Sequence, residues 1–409
     1  MSKTTLYRYL FGFGLLTAAV STQAQQFYQF EIVAQDGDIV DGLQVNRISN
    51  ALINDNGEIA YSGSAPGSVS AVWSSTSVLL AEGQDIGGGV ILPDFALATF
   101  DWNNNGVAAV SSGSFSTQGV YSSAGVSFTG GDTIGGATIS PSGNFQVNVQ
   151  IDDGGALYFI AQVETSPGVF ADTVFSSTAV LAQEGQTIGG VLLDDIGSDG
   201  TNGLLKVDDA GNVVFYNDVS GDSAIISTAG FALEENSPFP TGPLAGQTIT
   251  DLSAASFAPG VNGQGDLVVD GRVGGVSGLY SFDGLVSPES ALPFADPIYF
   301  SGADLNDSGT FVSEFDYFDS FDSSFVEGIV VDETVVITEL ETIGGFAIDD
   351  LVRLGSLDLN NNGDFVFVAT LLDGGGNEFN AVIRATIVPE PTSLALLGLG
   401  GLIVARRRR

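Results

Sequence analysis

Short apolar runs that follow an Asn- or Asp-rich turn recur along the whole chain. In "LNNNGDFVFVA", Leu359–Ala369, a polar turn ends at Gly363 and residues with high β-propensity follow it. Six earlier segments have the same pattern, and the glycines of the seven turns are spaced by 49, 49, 56, 54, 44 and 54 residues. These glycines are Gly57, Gly106, Gly155, Gly211, Gly265, Gly309 and Gly363. A period of this size is typical of propellers, solenoids and arrays.

Each of these turns predicts a β-hairpin. Asn or Asp followed by Gly suits a tight connection between two strands, because the turn needs positive φ angles that Gly adopts freely and Asn tolerates. A third apolar run follows every hairpin, such as "AVWSS" from Ala71, and a fourth follows it, as in "SVLLAEG" from Ser77 and "AVLAQEG" from Ala179. Four strands per repeat is the content of a β-propeller blade.

The phase of the repeat predicts how the chain closes. The segment "YQFEIVA" from Tyr28 corresponds to a fourth strand with no blade before it, and the last repeat has only its first three strands. In a closed ring the first strand would complete the last blade and remove unpaired sheet edges. The sequence therefore predicts an all-β fold, a seven-bladed β-propeller of four-stranded blades, closed by the N-terminal strand completing the last blade. An open β-solenoid is the alternative.

Glycine-rich linkers join the repeats. They include "GQDIGGG" at Gly83, "GDTIGGA" at Gly131 and "GQTIGGV" at Gly185, and "DPIYFSG" around Ile298 is the weakest copy. A phosphate-binding loop would need a P-loop Lys and a strand-loop-helix context, and both are missing. The glycines are therefore expected to form corners, and the isoleucine is expected to fill the space between neighbouring blades.

The first 24 residues have the layout of a secretory signal peptide. Lys3 and Arg8 precede an apolar stretch at 10–20, and small and polar residues follow it. Thr22 and Ala24 are small enough for the −3 and −1 positions of a cleavage site, so cleavage is predicted after Ala24. The alternative is a buried N-terminal helix, which would normally have polar residues along one face.

The chain ends in three consecutive parts: a Pro-Glu-Pro motif, an apolar segment and a basic cluster. Residues 388–409 read "VPEPTSLALLGLGGLIVARRRR", and the order of the parts resembles a bacterial PEP-CTERM sorting signal. The motif consists of Val388, Pro389, Glu390 and Pro391. The basic cluster, which would stay on the cytoplasmic side of the membrane, consists of Arg406, Arg407, Arg408 and Arg409.

This resemblance implies a sorting route. Such a tail holds an exported precursor at the inner membrane until an exosortase processes it at the Pro-Glu-Pro motif. The 14 apolar residues at 392–405 are expected to form a short transmembrane helix. They fall short of the ~20 residues that a stable spanning helix needs, which argues against the alternative of a permanent anchor. The predicted organisation is a signal peptide at 1–24, a propeller at 25–387 and a sorting signal at 388–409.

The repeats are also similar to those of exported bacterial proteins with recurrent "LNDxGxVAF" phrases. This likeness covers Tyr28 to Ile387. The proteins concerned often carry surface-sorting tails, but the resemblance implies no particular ligand.

The charge of the chain narrows the range of partners. The formal net charge at pH 7 is −38. Six of the 11 basic residues but only one of the 49 acidic residues lie in the two processed ends, so the mature chain keeps five basic and 48 acidic residues. Nucleic acid and anionic lipid surfaces are therefore not expected as partners, because both need clustered Lys and Arg. A surface of this kind attracts cations instead.

The chain contains neither cysteine nor histidine. This excludes disulfides, thiol nucleophiles, zinc or haem sites ligated by Cys or His, and every Ser-His-Asp or Cys-His catalytic arrangement. Paired carboxylates remain the available catalytic groups, because a glycosidase needs only two acids about 5–10 Å apart. With so many acidic residues, the sequence does not single out a pair.

Three aspartates precede their turns in a pattern that resembles the start of a calcium loop. Asp101, Asp304 and Asp358 each lie two positions before the turn Asn. Calcium needs six to eight oxygen ligands. However, the twelfth position lacks the Glu of an EF-hand, and the other four turns lack the leading Asp. Turn formation is therefore the expected role, with calcium as the alternative; no other cofactor or metal is predicted.

Aromatic residues supply further candidates for sugar binding. Trp73 and Trp102 could stack on sugars, but the apolar pattern around them favours packing in the core. The segment "EFDYFDSFDSSF" from Glu314 interleaves acids with aromatics and could line a sugar groove. A solvated strand and loop is the expected structure of this segment.

These observations predict an exported, exosortase-sorted protein of the cell surface or extracellular matrix. Its propeller is expected to be non-catalytic and to bind polysaccharide or other envelope components. The expected partners are exosortase, the secretion machinery and an exopolysaccharide, with transient association at the inner membrane, and the expected state is a monomer. The alternative is an extracellular polysaccharide-degrading enzyme that uses two carboxylates.

Overall fold

Each repeat forms an antiparallel sheet in the computed structural model, and the seven sheets are the blades of a β-propeller. The structure describes residues 27–95, 97, 100–112, 118–142, 144–197, 205–219, 221–252, 260–292, 298–319, 324–351 and 357–388. Residues Tyr28–Ile387 form one compact unit, and the description below concerns this unit.

The strands are numbered in chain order. Blade 7 is completed by β1 (Phe27–Gln35). Blades 1 to 3 contain β4 (Arg47–Ile53), β5 (Ile59–Ala65), β6 (Val69–Ser74) and β7 (Val78–Ala81); β8 (Phe100–Trp102), β9 (Ala108–Ser112), β10 (Gly119–Ser122) and β11 (Ser127–Thr129); and β14 (Phe145–Ile151), β15 (Leu157–Ser166), β16 (Val169–Ser176) and β17 (Val180–Gln183).

In blades 4, 5 and 7 the first strand consists of two pieces that pair with the same second strand. Blades 4 to 6 contain β20 (Asp195–Ile196), β21 (Leu205–Val207), β22 (Val213–Val219), β23 (Asp222–Ser227) and β24 (Phe231–Glu234); β25 (Ile249–Leu252), β26 (Gly260–Val261), β27 (Leu267–Val273), β28 (Val276–Ser281) and β29 (Gly284–Pro288); and β30 (Ile298–Leu305), β31 (Phe311–Asp319), β32 (Ser324–Val331) and β33 (Thr334–Thr338). The remaining strands of blade 7 are β35 (Phe346–Asp350), β36 (Leu357–Leu359), β37 (Phe365–Leu372) and β38 (Glu378–Val388).

The linkers between blades form small hairpins and turns. Among the described residues, 3-10 turns occupy Gly242–Leu244 and Glu289–Ala291. The short linker strands are β2 (Ile39–Val40), β3 (Leu43–Gln44), β12 (Thr133–Ile134), β13 (Ala137–Thr138), β18 (Thr187–Ile188), β19 (Val191–Leu192) and β34 (Thr342–Ile343). At the tip of the β12–β13 hairpin, Gly135 and Gly136 have φ angles of 58° and 88°, which two consecutive non-glycine residues rarely adopt.

The first strands of consecutive blades contact one another around the whole ring, from β4 through β8, β14, β21, β26, β30 and β36 back to β4. They therefore surround the central axis. Each blade continues through its second and third strands to a fourth strand at the far edge of its sheet.

The first strand of the chain closes the ring. β1 lies next to β38 and so completes blade 7. The backbone N–H of Asp36 donates to the carbonyl oxygen of Asn380 at 2.9 Å, and the N–H of Asn380 donates to Asp36 Oδ2 at 2.9 Å. The ring of Tyr28 lies 5.1 Å from that of Phe365 in an edge-on contact. The predicted closure is confirmed, and the open solenoid is wrong.

The hydrophobic core lies between neighbouring blades. Val366 and Val382 of blade 7 pack in one cluster with Ile48 and Trp73 of blade 1, and all four are fully buried. The isoleucine of a linker joins such a cluster as predicted, since Ile134 packs with residues of blades 2 and 3.

The segment around Ile298 was wrongly predicted as a linker. Residues Ile298–Leu305 form β30, the first strand of blade 6, which pairs with β31. An apolar, β-prone segment fits a linker and a first strand equally well, and its position in the ring decides between them.

Several predicted features lie outside the described residues. These are the cleavage position at Ala24, the short apolar helix at 392–405, and the sorting residues Pro389 to Pro391 and Arg406 to Arg409. Among the residues that the structure describes, no helix is long and apolar enough to cross a membrane. Val388, the first residue of the sorting motif, is the last residue of β38.

Candidate functional site

The seven turns between first and second strands meet around the axis and form a turn ring. We define this ring by the first residue of each turn: Asn54, Asn103, Asp152, Asp208, Asn262, Asn306 and Asn360. The Oδ1 atom of Asn360 accepts the N–H groups of Asn362 and Asp364, both at 3.0 Å, and so stabilises its own turn. Its Nδ2 atom donates to the carbonyl oxygen of Asn54 in blade 1 at 3.2 Å.

The same asparagine link recurs around the ring. Each amide Nδ2 donates to the carbonyl of the first turn residue in the next blade. The donor–acceptor distances are 3.2 Å for Asn54 to Asn103, 2.8 Å for Asn103 to Asp152, 3.2 Å for Asn262 to Asn306 and 3.3 Å for Asn306 to Asn360. The carboxylates of Asp152 and Asp208 have no N–H to donate. At blade 4 the backbone N–H of Asp209 donates to Gly263 instead, at 2.9 Å.

Aspartates at the second turn position make the mouth of the ring acidic. Asp55, Asp153, Asp209 and Asp307 occupy this position in blades 1, 3, 4 and 6. Asn361 bridges two of them, because its Nδ2 donates to Asp55 Oδ2 at 3.1 Å and to Asp307 Oδ2 at 2.9 Å. Burial, followed by the carboxylates of Asp307, Asp153 and Asp55, raises the pKa of Asp209. The mouth therefore disfavours anions.

The three aspartates predicted to form turns instead link blades. Asp101, Asp304 and Asp358 lie on first strands, and their carboxylates accept backbone N–H groups of the next blade. The acceptor distances are 2.6 Å from Ile151 to Asp101, 2.8 Å from Leu359 to Asp304 and 2.6 Å from Ile53 to Asp358. The turn-forming role is wrong for these residues, since the asparagine two positions later forms the turn.

The same geometry bears on the calcium-loop alternative. The Oδ1 atom of Asn103 accepts two N–H groups of its own turn, from Asn105 at 3.1 Å and Val107 at 2.9 Å, while Asp101 bonds to the neighbouring blade. The oxygens that a loop would offer to calcium are thus used by backbone N–H groups of two different blades, so the two residues do not assemble one loop.

Lys206 lies among these axial carboxylates and was missed by sequence reasoning. It occupies the position of Asp101 in the fourth repeat, two residues before the turn. Burial alone would lower the pKa of Lys206, but Asp304, Asp358 and Asp101 outweigh burial and raise it. Burial, then the charge of Asp304, raises the pKa of Asp358 well above its ordinary value. Aligning the position two before each turn asparagine would have revealed this charge cluster.

A cleft of about 660 Å³ lies beside the turn ring, where blades 7, 1 and 2 meet. Asn56 and Asn105 from two turns line one side, and the turn between β6 and β7 lines another. Blade 7 contributes Glu31 of β1 and Arg384 of β38. The remaining lining residues are Val33, Gly57, Glu58, Ile59, Ser74, Ser75, Thr76, Ser77, Leu79, Trp102, Asn104 and Gly106.

The cleft offers donors, acceptors and charges of both signs. The Nδ2 atoms of Asn56 and Asn105 each donate one N–H to a carbonyl of the next turn, at 2.7 and 2.6 Å, so each amide keeps its second N–H and its oxygen for a ligand. Glu31 and Glu58 add carboxylates, and the turn Ser74–Ser77 adds hydroxyl groups. Such a lining suits a ligand rich in hydroxyl groups.

Arg384 is the basic residue of this cleft. Its guanidinium forms an ion pair with Asp364, with 2.5 Å between Nη2 and Oδ2. The Nε atom is buried and has no hydrogen-bond acceptor among the described residues. Gly57 gives the guanidinium room, because a Cβ atom there would lie 3.2 Å from Nη2. The arginine is therefore held in place by Asp364, and it brings a positive charge to the lining of the cleft.

The aromatic candidates are in the core. Trp73 is fully buried and stacks on Tyr61 with 5.7 Å between ring centroids, and Trp102 is 9% exposed. Core packing is confirmed for both, although Trp102 also reaches the edge of the cleft. The solvated structure predicted from Glu314 onward is wrong at its start, because Glu314 and Phe315 are buried within β31.

The comparison with protein families concerns the end of the chain. Residues 388–409 match the PEP-CTERM protein-sorting motif. The protein carries a PEP-CTERM sorting signal. A signal of this kind indicates an exported protein that an exosortase sorts, with passage through the membrane to the cell surface. No curated protein matches the chain.

Solved structures with some similarity to the chain share little sequence with it. A streptogramin B lyase has a TM-score of 0.38 and 9% identity over 88% of this chain and 98% of its own. A virginiamycin B lyase from Staphylococcus aureus, solved with quinupristin, has the same score and identity over 88% and 100%. AofleA from Arthrobotrys oligospora has a TM-score of 0.33 and 12% identity over 76% and 89%. The propeller assignment rests on the strand pairing of this chain alone.

Proposed function

We propose that this exported protein is a component of the cell surface or extracellular matrix whose propeller binds polysaccharide without catalysis. The cleft between blades 7, 1 and 2 carries this proposal, because it combines side-chain hydroxyls, amide oxygens, carboxylates and a guanidinium on one surface. Sugar hydroxyl groups both donate and accept, so they match such a lining better than an apolar ligand does.

The sorting signal supports the proposed location of the ligand. A protein that is delivered to the cell surface meets envelope and matrix polysaccharides first. The strongly acidic chain disfavours polyanions of high charge density, since few of its basic residues lie in the mature part. Neutral or weakly acidic polysaccharide is therefore the proposed class, with Arg384 available for an occasional sugar carboxylate.

A matched pair of variants tests the cleft. Thr76 is exposed at the turn between β6 and β7, and Thr178 is exposed at the equivalent turn of blade 3, in the same Ser-Ser-Thr sequence. Thr76→Trp should fill the cleft and weaken binding to the matrix polysaccharide of the producing cells at least about tenfold, whereas Thr178→Trp should not. Binding would be measured on glycan arrays and by calorimetry. Equal affinity of the two variants would place the ligand elsewhere.

The same samples test the alternative that the protein is an enzyme. Glu31 and Glu58 both line the cleft, and two carboxylates are the minimum that a glycosidase requires. Release of reducing ends from a bound polysaccharide by the wild type, abolished by Glu58→Gln or Glu31→Gln, would contradict a binding-only role. We expect binding without turnover.

The proposed sorting steps have their own test. We propose that Pro389, Glu390 and Pro391 are the residues that exosortase recognises, that Arg406 to Arg409 retain the precursor at the inner membrane, and that signal peptidase cleaves after Ala24. Glu390→Ala should leave export intact and trap the precursor at the inner membrane, because the apolar segment and the arginines remain. Cell fractionation with mass spectrometry of the termini would show it. Normal mature protein at the surface would refute this role of Glu390.

A further inference from the structure

An acidic residue just after the fourth strand recurs as a link between blades. Its backbone N–H donates to a carbonyl in the third strand of its own blade, 12 residues earlier in blades 1, 3, 4 and 6. Its side chain accepts an N–H of the next blade, as in Asp36 from Ile48 at 2.9 Å and Glu235 from Leu252 at 2.7 Å. Glu184 accepts from Ile196 in the same way.

The third-strand partner of this link differs between blades. In blade 1 it is Ser70, whose hydroxyl donates to Asp94 Oδ1 of the next blade at 2.8 Å. In blade 7 it is Asn380, whose Nδ2 donates to the carbonyl oxygen of Ile48 at 3.0 Å. In blade 3 the same position holds Asp172, and an ionised carboxylate has no hydrogen to donate.

Three carboxylates therefore converge where blades 3 and 4 meet. Oxygen atoms of Asp172, Glu184 and Asp195 all lie within 4.8 Å of one another. Asp172 is 8% exposed, and its Oδ1 atom is buried without a hydrogen-bond partner among the described residues. No basic side chain is among the charges that act most strongly on Asp172 and Glu184. Buried charges of one sign need a compensating ion or proton.

This boundary also lacks a link that most others have. Asp152 opens the turn of blade 3, and it has no amide N–H to donate to the turn of blade 4. The outer carboxylates thus lie at a boundary where the axial asparagine link is missing. An ion bound to residues of both blades would replace it, because Asp172 and Glu184 belong to blade 3 and Asp195 belongs to blade 4.

We propose that Asp172, Glu184 and Asp195 bind a calcium ion that joins blade 3 to blade 4. Two oxygens bound to one calcium at about 2.4 Å lie at most about 4.8 Å apart, and the three carboxylates meet this limit, because their oxygens lie within 4.8 Å of one another. Magnesium fits less well, because it demands near-octahedral geometry at about 2.0–2.1 Å and keeps several waters. Three carboxylates without a basic neighbour supply hard oxygen ligands, and waters would complete the coordination.

The experiment uses the exported protein, stripped with EDTA and titrated with calcium chloride alone at constant ionic strength. The test variant is Asp172→Ser, which copies the residue of blade 1. The control is Asp251→Asn, which removes one carboxylate from the equivalent position at the boundary of blades 4 and 5, where Ser223 replaces Asp172. Calorimetry gives the number of ions bound, and thermal unfolding gives the shift of Tm with calcium.

We expect wild type and Asp251→Asn to bind the ion with a Kd of about 10⁻⁴–10⁻³ M, the range of extracellular calcium modules. Asp172→Ser should bind one ion fewer and show a smaller Tm shift with calcium. Blade 6 has a second group of three carboxylates, Glu314, Asp316 and Glu327, whose oxygens also lie within 4.8 Å of one another. The expected readout is therefore the loss of one bound ion, not the loss of all calcium binding.

Two results would overturn the proposal. One is the absence of saturable binding by the wild type up to about 10 mM calcium, well above that range, which would leave protons as the compensating charge. The other is an unchanged number of bound ions in Asp172→Ser. If this variant fails to fold, Asp195→Asn removes a carboxylate from the same group and is read in the same way. None of these results depends on polysaccharide binding.

Discussion

At the axis, five of the seven turns begin with an asparagine whose amide donates to the next blade. At the outer boundaries, the link between blades involves the third-strand residue whose carbonyl accepts the N–H of the acid after the fourth strand, and this residue differs from blade to blade. Ser70, Asp172, Ser223, Glu327 and Asn380 occupy that outer position. The axial asparagines are buried, while the acids after the fourth strands are partly exposed.

The difference follows from what each place demands. A buried turn at the axis needs an acceptor for its own N–H groups and a donor for the neighbouring carbonyl, and asparagine supplies both on one short side chain. At the outer boundary the link to the acid uses only the backbone carbonyl of the third-strand residue, so its side chain is free to vary. Variation at the outer position therefore changes charge without changing the fold, and it is where a blade can acquire a ligand.

The largest expected effect comes from breaking the ring outside the axis. Deleting Tyr28 to Ala34 removes most of β1, exposes the edge of β38 and uncovers the cluster on which Tyr28, Phe30 and Ile32 pack. These three side chains are partly buried, so the loss of each costs less than the ~1.5–3 kcal/mol of full burial, and their loss together costs about 2–5 kcal/mol. We expect loss of cooperative unfolding and aggregation, measured by denaturant titration and light scattering.

A permuted chain provides the control. Val388 and Phe27 lie at the same end of their paired strands, because Asp36 contacts Asn380 at the other end. Moving residues 27–35 behind Val388 through a short hairpin should restore the stability lost in the deletion. A deletion variant that unfolds cooperatively with wild-type stability would show that the axial links alone hold the ring.

Blade number and closure could be predicted from the sequence because each turn recurs with the same chemistry. The glycines at 57 and 363 belong to the same kind of turn, and the unpaired "YQFEIVA" strand fixes the phase. Strand order in a propeller follows chain order, so no long-range pairing had to be guessed except that of β1 with β38.

The candidate site could not be predicted in the same way. The cleft unites Glu31, Asn105 and Arg384, which are far apart in sequence and share no motif. The role of Asp358 depends on the N–H of Ile53 in the next blade, whose position only the closed ring defines. Asp172, by contrast, could have been found from the sequence. An alignment of the residues 12 positions before each acid that follows a fourth strand shows a carboxylate at Asp172, where blade 1 has Ser70.

A smaller effect is expected from a single axial link. Asn360→Ala removes two acceptor bonds within the turn and the donor bond to Asn54, at a site that is 2% exposed. The expected loss in the free energy of unfolding is about 3 kcal/mol, roughly 1 kcal/mol per bond. Asn360→Asp keeps the acceptor and loses the donor, as Asp152 does naturally, and should cost about a third as much for the lost bond, in addition to the cost of a carboxylate at a buried site.

The control for this prediction is Asp373→Ala. Asp373 forms a comparable turn in the exposed hairpin of the same blade, because its Oδ1 accepts the N–H groups of Gly375 at 2.7 Å and Asn377 at 2.9 Å and its Oδ2 accepts the Nδ2 of Asn377 at 2.8 Å. Its replacement should cost much less than that of Asn360 because water takes over the exposed groups. Equal losses at Asn360 and Asp373 in urea titrations would mean that the axial ring contributes no more than an ordinary turn.

The smallest effect concerns the charges beside the axial ring and appears as a dependence on pH. Burial, then Asp304, raises the pKa of Asp358 in the native state, so the native state binds a proton that the unfolded chain, with a pKa near 3.9, releases. The free energy of unfolding must therefore increase as pH falls from the native pKa of Asp358 to the unfolded pKa, and it must decrease as pH rises through the same range. We expect a larger free energy of unfolding at pH 5 than at pH 8, measured in EDTA so that no cation contributes.

Asp358→Asn isolates this effect. The amide oxygen still accepts the N–H of Ile53, and its Nδ2 donates to Asp304 as the protonated carboxyl does. The variant should be more stable than wild type at pH 8, and the difference should shrink as pH falls and Asp358 of the wild type gains its proton. Asp283→Asn, at an exposed turn, should not reproduce this pattern. If Asp358→Asn is instead less stable at both pH values, the ionised Asp358 is held by Lys206, and the axis is stabilised by an ion pair rather than by a shared proton.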